Sequence, residues 1–235
     1  MSESLEIIAT IETDFDEKFG IPRQSGLAKE LKGRIVFEPK YRNPDMLKGI
    51  EQFRYLWLLW EFEEATTANL KATVRPPRLG GNTTMGVFAT RSPYRPNSIG
   101  LSSVRLLEVH TDTDHGPELI VGGADLRNHT PIYDIKPYLR YVDCHEDAND
   151  GFAGTGISHI LKVVYEPGIR EELSTLLGTE KLAALEEVLS LDPRPSYQDD
   201  PDRSYGILFA GRNVHFRVSG DSLTVTDFEE KKDGR

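Results

Sequence analysis

The stretch FRYLWLLWEF, residues 53–62, is a nearly continuous apolar run. Such a run predicts a strand that is buried on both faces or that forms part of a barrel wall. Short β-branched segments with Pro- and Gly-rich loops between them surround it, which predicts an all-β sandwich or barrel. These segments are LEIIATIET (5–13), GRIVFEP (33–39), MGVFAT (85–90), SIGLSSVRLLEV (98–109), ELIVGGADL (118–126) and PIYDI (131–135).

The pattern changes after about residue 150. The small, polar segment 147–158 is typical of a linker, and HILKVVYE (159–166) predicts a strand. Apolar residues recur at helical spacing between 169 and 191, and three further strands end the chain. The sequence therefore predicts a mainly β protein with one domain over residues 1–150 and a small C-terminal α/β domain over residues 156–235.

The charge is distributed unevenly. The net charge is −10, yet the segment from Ala65 to Leu107 contains six cations and no acid, so the rest of the chain sums to −16. Charges more than about 8–10 Å apart are largely screened at physiological salt, so a basic patch can act locally on an acidic protein. The six cations are Lys71, Arg75, Arg78, Arg91, Arg95 and Arg105. They could form ion pairs with acids elsewhere, but their number favours an anionic ligand.

Two proline-containing loops hold four of these arginines, in TVRPPRLGGN (73–82) and RSPYRPN (91–97). Proline restricts the loop before a ligand arrives, which reduces the entropy lost on binding. Arginine donates to phosphate or carboxylate through a planar fork, and Tyr94 could stack on a base. FGIPRQSGL (19–27) is a third such loop, where Gln24 suits an adenine edge or a ribose; locally, an ordinary turn is the simpler interpretation.

Several chemistries lack their signature in this sequence. Neither the Rossmann nor the P-loop glycine pattern is present, nor is the serine-hydrolase elbow. CHED (144–147) has no metal-ligand spacing, so we expect no metal, although a hydrolase centred on His145 is a third, weaker hypothesis. With one cysteine and no apolar leader, the chain is expected to be cytoplasmic, without a membrane partner.

Six segments in this order resemble the TsaA-like tRNA methyltransferases, a family also called YaeB-like or TrmO-like, in its bacterial two-domain form. They are GIPRQ, GIEQFRYLWLLWEF, TVRPPRLGGN, MGVFATRSPYRPNSIGLSSVRLL, TPIYDIKPYL and DPRPSYQDDPDRSYGILFAGRNVHFRV. The resemblance implies a non-Rossmann N-terminal β-barrel that binds S-adenosylmethionine, usually as a homodimer. It also implies methylation of N6 of threonylcarbamoyl-adenosine (t6A to m6t6A) at position 37 in the tRNA anticodon loop.

Matching this family residue by residue implies two groups of binding residues. The implied cofactor-binding residues are Pro22, Arg23, Gln24, Glu63, Glu64, Arg91, Leu101, Asn128, His129, Thr130 and Pro131. The implied substrate-binding residues are Arg75, Arg78, Tyr94, Arg95 and Lys136. The family commonly has Asp-Gly-Thr-Pro at 128–131, where Gly allows a close backbone approach, and often His at Glu63.

Methylation of an adenine N6 is helped by a nearby proton acceptor, and Asp134 is the candidate because it follows the implied cofactor loop. Asp134 and Lys136 are two residues apart, so in a strand they share a face, where they could pair with each other or line a pocket. An alternative function is a non-catalytic sensor that binds S-adenosylmethionine or RNA without turnover.

Overall fold

The computed structural model describes residues 5–62, 70–76, 79–80, 82–154, 160–195 and 200–231. Within these ranges, six antiparallel strands close into a barrel. The strands are β1 (Ala9–Glu12), β2 (Lys32–Phe37), β3 (Tyr55–Glu61), β6 (Ile99–His110), β7 (Glu118–Gly122) and β8 (Thr130–Pro137). Their order around the barrel is β1-β2-β7-β6-β3-β8, with β8 pairing back onto β1. This confirms the mainly β prediction and selects the barrel over the sandwich.

Strand β3 shows why the apolar run of the sequence belongs to a barrel wall. Leu56, Leu58 and Trp60 are buried in the barrel core, whereas the alternate side chains of Tyr55 and Trp57 remain partly or fully exposed. The two faces of the strand therefore differ, as expected where one face meets the core and the other meets the surface. The run is not buried on both faces.

A short ribbon of β4 (Thr73–Val74) and β5 (Met85–Gly86) connects β3 to β6 along the chain. The strand predicted over 85–90 is wrong beyond Gly86, because residues 87–89 form a 3-10 turn. The Val87 carbonyl accepts both the amide and the hydroxyl of Thr90, which closes that turn. Thr90 thereby begins the loop that leads to β6.

The C-terminal part forms a second sheet under a helix. Its strands are β9 (Lys162–Tyr165), β10 (Tyr205–Phe209), β11 (Arg212–Ser219) and β12 (Ser222–Glu230), in the order β10-β11-β12-β9 with β9 parallel to β12. Helix α2 (Ile169–Ser190) packs on β9 and β12 and is interrupted at Gly178. A single turn, α1 (Arg140–Asp143), follows β8. In the part of the chain described, no helix is both long and apolar enough to span a bilayer.

The barrel and the second sheet have separate hydrophobic clusters, and the connection between β1 and β2 belongs to the cluster of the second sheet. Phe15, Ala28 and Leu31, from the connection between β1 and β2, are buried among side chains of α2 and the second sheet. The Phe15 ring meets the ring of Phe209 edge-on, with centroids 5.3 Å apart. Each sheet takes its strands from one side of residues 150–156, but the β1–β2 connection packs into the cluster of the C-terminal part. The predicted domain boundary stays a prediction.

We expect Phe15→Ala to lower the free energy of unfolding by about 3–5 kcal/mol, because it leaves a cavity where an aromatic ring is fully buried. The loss should speed amide hydrogen exchange in β10, which holds Phe209, as well as in the barrel. Urea unfolding and hydrogen-exchange mass spectrometry measure both effects. Tyr141→Ala is the matched control, since that ring is 83% exposed. Exchange that changes in the barrel alone would contradict the packing of the β1–β2 connection on the second sheet.

Candidate functional site

A cavity of about 690 Å³ opens at one end of the barrel. Its walls come from the β1–β2 connection, the end of β3, the loop into β6 and the turn between β7 and β8. The lining residues used below are Lys18, Ile21, Pro22, Arg23, Gln24, Trp60, Glu61, Phe62, Thr90, Arg91, Pro93, Arg95, Leu101, Asp125, Arg127 and Thr130. The volume is that of an ordinary small-molecule site, for which about 300–1,000 Å³ is typical.

Charge and apolar surface are combined in this cavity. Of the lining residues that the structure describes, the cationic ones are Lys18, Arg23, Arg91, Arg95 and Arg127, and the acidic ones are Glu61 and Asp125. Trp60, Phe62 and Leu101 supply apolar surface between them. Apolar walls with a few convergent polar groups are the usual composition of a ligand site. The cavity therefore favours a ligand with both anionic and cationic groups.

Arg91 and Gln24 join two walls of the cavity. The Arg91 guanidinium donates a hydrogen bond to the side-chain oxygen of Gln24. This contact connects the PRQ loop (residues 22–24) to the loop that precedes β6. Arg95 stays on the latter loop, where its Nη1 donates to the Thr90 carbonyl at 3.0 Å. Of the two arginines predicted from RSPYRPN, Arg91 thus connects two loops and Arg95 stabilises the loop to which it belongs.

Residues of the C-terminal part contact the β1–β2 connection, which includes the PRQ loop. The Ala210 amide donates to the Asp14 carbonyl at 2.8 Å, and the Lys181 ammonium lies 2.6 Å from the Asp14 carboxylate. Arg23 Nη2 donates to the carbonyl of Arg194 at 3.2 Å. The Arg194 side chain is itself fixed by Asp192, 2.8 Å away. The C-terminal part therefore contributes to the cavity indirectly, by holding Arg23.

A larger cavity of about 1380 Å³ lies next to the first. The two share five lining residues, namely Arg23, Gln24, Thr90, Arg91 and Pro93. Beyond this common wall, the larger cavity is lined by Lys71, Arg75, Phe88 and Tyr94, and on another side by residues 149–153. The Lys71 ammonium lies 4.9 Å from the centre of the Tyr94 ring, and the Phe88 ring is 76% exposed. Cations next to accessible aromatic rings suit an unpaired nucleotide.

The two acidic groups of the smaller cavity have different surroundings. Burial and a hydrogen bond to Glu61 raise the pKa of Tyr133 to about 12, so this phenol stays protonated as a donor to Glu61. Burial raises the pKa of Asp125, although a hydrogen bond from Ser102 and the nearby charge of Arg91 oppose the rise. Sequence reasoning missed both carboxylates, which sit at the ends of predicted strands.

Seven residues predicted from the sequence line the smaller cavity, three of which also line the larger one, and two more line the larger cavity alone. Those in the smaller cavity are Pro22, Arg23, Gln24, Arg91, Arg95, Leu101 and Thr130. Arg75 and Tyr94 line the larger cavity. Glu63, Glu64 and Arg78 lie outside the described residues. The role of each residue stays a prediction, because the structure shows only where the residue lies.

The segment 128–131 shapes the cavity mainly through its backbone. The Asn128 side chain accepts from the Thr13 amide at 3.1 Å and donates to Asp16 at 2.9 Å, which fixes the end of β1. His129 has φ +63°, the left-handed conformation that favours glycine. Pro131 is buried in β8 opposite Thr10. Within the described residues, Thr130 is the member of this segment that lines the cavity.

Asp134 and Lys136 pair with each other. Their charged groups are 2.7 Å apart, and both side chains are substantially exposed. Among the described residues, neither belongs to the lining of the two cavities. Of the two possibilities left open by the sequence, the structure shows the ion pair. The described residues also contain no cluster of three or more His, Cys, Asp or Glu side chains that could hold a metal ion.

The fold and the site define a ligand-binding β-barrel outside the Rossmann class. Family models described as the tRNA-methyltransferase O N-terminal domain and the TrmO C-terminal domain match residues 10–144 and 158–231. The chain belongs to the tRNA-methyltransferase O family, which confirms the resemblance seen in the sequence.

Relatives cover nearly the whole chain. It is 37% identical over 234 residues to the tRNA (adenine(37)-N6)-methyltransferase of Escherichia coli (strain K12), covering 98% of this chain and 99% of the relative. It is 39% identical over 226 residues to a putative S-adenosylmethionine-dependent methyltransferase, RcsF, of Pseudomonas aeruginosa, covering 95% and 96%. A crystal structure of TrmO from Pseudomonas aeruginosa matches with a TM-score of 0.79 at 33% identity, covering 98% of both chains.

Gly20→Ala tests how the second sheet holds the PRQ loop. Gly20 has φ +94°, and an added Cβ would lie 2.1 Å from Cδ1 of the buried Ile207. We expect a loss of unfolding free energy about 1–3 kcal/mol larger than for Gly26→Ala. Gly26 is the matched control, since it has φ +77° with no atom within 4 Å of the added Cβ. Urea titration measures both variants, and equal losses would show that the contact with Ile207 is unimportant.

Proposed function

We propose that this protein transfers the methyl group of S-adenosylmethionine to N6 of threonylcarbamoyl-adenosine at position 37 of tRNA. The observation that supports this most strongly is the wall shared by the two cavities. A small ligand in the smaller cavity and a nucleotide in the larger one would face each other across Arg23, Gln24 and Arg91. Holding two reactants in this way is what a bimolecular transfer requires.

The residues of the smaller cavity fit S-adenosylmethionine by their donor set. The Gln24 amide both donates and accepts, as an adenine edge requires. Arg91 suits the carboxylate of the methionine part, and the carboxylate of Glu61 suits its cationic groups. Pro22, Leu101 and Thr130 complete the predicted contacts along the walls. When bound, S-adenosylmethionine supplies a methyl group on a positively charged sulfur, and its leaving group is neutral.

The positive charge of the site exceeds what this cofactor needs. S-adenosylmethionine carries one net positive charge, so it does not neutralise five cations opposed by two carboxylates in its own cavity. The anticodon loop brings phosphates, and the threonylcarbamoyl group adds a carboxylate. The surplus arginines therefore suit the modified nucleotide, with Arg95 on one side of the shared wall and Arg75 on the other.

The larger cavity suits the nucleotide itself. Phe88 and Tyr94 present aromatic faces on which unpaired bases can stack, and each such stack is worth about 1–3 kcal/mol. Lys71 already lies over the Tyr94 ring, so this ring is positioned before any ligand binds. Recognition of an exposed loop by stacking and by phosphate contacts is the usual mode for single-stranded RNA.

The protein accelerates the transfer chiefly by positioning. The N6 lone pair is delocalised into the purine ring, and in the modified base also toward the carbamoyl carbonyl, which makes this nitrogen a poor nucleophile. A fixed in-line approach can supply roughly 7–11 kcal/mol in favourable cases. Prolines in both loops of the shared wall, Pro22 and Pro93, restrict these loops before the reactants bind. We also propose that the protein acts in the cytoplasm on its tRNA substrate and forms a homodimer, in keeping with the family resemblance.

The test of the substrate uses two forms of one tRNA, with and without the threonylcarbamoyl group on A37. Each is incubated with the purified protein and methyl-labelled S-adenosylmethionine, then digested to nucleosides for mass spectrometry. We expect label in the threonylcarbamoyl nucleoside and at least a hundredfold less in unmodified adenosine. Equal labelling of both tRNAs contradicts the substrate. Binding of S-adenosylmethionine without any transfer supports the sensor instead.

A second prediction concerns RNA binding. We expect Arg75→Ala to weaken tRNA binding and to reduce the slope of log Kd against log salt by about 0.7–1, because one phosphate contact is lost. Fluorescence anisotropy between 50 and 200 mM salt measures the slope. Arg217→Ala is the matched control, since this exposed arginine lies on β11 and outside the described lining of both cavities. An unchanged slope in Arg75→Ala would remove Arg75 from the RNA contacts.

A further inference from the structure

A chain of hydrogen bonds runs from the barrel core to the cavity wall. The indole Nε1–H of Trp60 donates to Ser102 Oγ at 2.9 Å, and the Ser102 hydroxyl donates to Asp125 Oδ1 at 2.6 Å. Ser102 is only 1% exposed. With its oxygen occupied by the indole, the hydroxyl proton is directed at the carboxylate. Ser102 thus fixes the Asp125 carboxylate on the side of the barrel core, and Asp125 also lines the cavity.

Asp125 also lies close to the wall that the two cavities share. The amide of Ser25, the residue after the PRQ loop, donates to its carboxylate, and Arg91 is close enough to affect its charge. Arg91 lines both cavities. The Asp125 carboxylate therefore lies near the point where the methyl donor and the target base would meet.

The reaction needs a proton acceptor at that point. N6 of threonylcarbamoyl-adenosine has one hydrogen, which must leave when the nitrogen gains a methyl group. We propose that Asp125 accepts this proton, a role that rests on the function proposed above. The N6–H bond breaks and its proton goes to an oxygen of the Asp125 carboxylate. The nitrogen electron pair forms the N–CH3 bond, and the electron pair of the broken S–CH3 bond stays on sulfur.

The surroundings of Asp125 suit a base. Burial raises the pKa of its carboxyl, which makes the carboxylate more basic than an exposed one. The hydrogen bond from Ser102 and the positive charge of Arg91 favour the ionised carboxylate and oppose this rise of the pKa. The other charged groups that line this cavity are Lys18, Arg23, Arg95, Arg127 and Glu61.

Two other carboxylates are less well placed. Glu61 lines the cavity but accepts the phenol hydrogen of Tyr133. Asp134, the candidate from the sequence, is paired with Lys136 outside the described lining of both cavities. Asp125 lines the cavity and lies close enough to Arg91 for that positive charge to lower its pKa.

The first test is Asp125→Asn, which keeps an oxygen for Ser102 but removes the basic carboxylate. We expect the single-turnover rate of methyl transfer to fall about 10²–10⁴-fold, the usual contribution of a general base. We expect the Kd for S-adenosylmethionine, measured by calorimetry, to change less than threefold. Asp125→Glu should recover part of the rate. Asp45→Asn, an exposed carboxylate outside the described lining of both cavities, is the matched control.

The second test follows the carboxylate without any tRNA or cofactor. The indole N–H resonance of Trp60, identified in a Trp57→Phe background that leaves one tryptophan, should shift with pH as Asp125 ionises. The midpoint should lie above the ordinary aspartate pKa, and the shift should vanish in Asp125→Asn.

Ser102→Ala removes a hydrogen bond that favours the ionised form of Asp125. The acid limb of the single-turnover pH profile should then move to higher pH, a result that is available even if Asp125→Asn fails to fold.

The outcomes separate this proposal from the proposed function. If wild-type protein does not methylate threonylcarbamoyl-adenosine, the proposed function fails, whatever the Trp60 titration shows. If it does, a wild-type rate in Asp125→Asn overturns the role of Asp125, and a selective loss in Asp134→Asn would transfer that role to Asp134. A large rise in the cofactor Kd of Asp125→Asn with an unchanged rate at saturation would make Asp125 a binding residue and also overturn the proposal.

Discussion

The connection between β1 and β2 is the part of the molecule on which the site depends. Its first half is buried against the second sheet through Phe15, and its second half presents Arg23 and Gln24 to the barrel cavity. A surface loop of this length would be mobile if it had only its own contacts. Because the second sheet covers it, the loop becomes a fixed wall. The C-terminal part thereby acts on the site although the described residues that line the smaller cavity all come from the N-terminal part.

This arrangement explains how a chain with a net charge of −10 can have a strongly cationic site. Acidic residues at the junction, such as Asp14 and Asp16, are paired with Lys181 and Lys231 and are not available to the arginines of the cavity. Arg23 and Arg95 donate hydrogen bonds to main-chain carbonyls. Local pairing therefore neutralises acids at the junction, while the described lining of the smaller cavity holds five cationic and two acidic residues.

The strand pattern was sufficient for a mainly β first half, because short β-branched strands alternate there with Pro- and Gly-rich loops. It left a sandwich and a barrel open, and the barrel was implied by the family resemblance. The sequence also predicted the arginine loops, since their composition is local. Asp125 could not be predicted in this way. Its significance depends on Ser102 and Trp60, which are distant in sequence and meet only when β3 pairs with β6 and the turn after β7 closes over them. Asp134 is a second example. The sequence showed that Lys136 could pair with it, but not that both residues would lie outside the described lining of the two cavities.

The backbone at position 129 adopts a strained conformation that helps to hold the 128–131 segment beside the cavity. His129 adopts a left-handed backbone that glycine would adopt with less strain, and its amide donates to the Ile11 carbonyl at 2.7 Å. That hydrogen bond and those of Asn128 hold the 128–131 segment against β1, which sets the course of the chain as Thr130 enters the cavity. The histidine thus preserves a backbone path for which the family commonly uses glycine.

The central claim is that the methyl donor binds in the barrel cavity beside the shared wall. The most direct measurement is a crystal structure of the protein with S-adenosylhomocysteine, the demethylated form of the donor. The account predicts density in contact with Gln24 and Arg91, with the sulfur facing the larger cavity. Density at any site away from these two residues, with the barrel cavity holding only solvent, would contradict it.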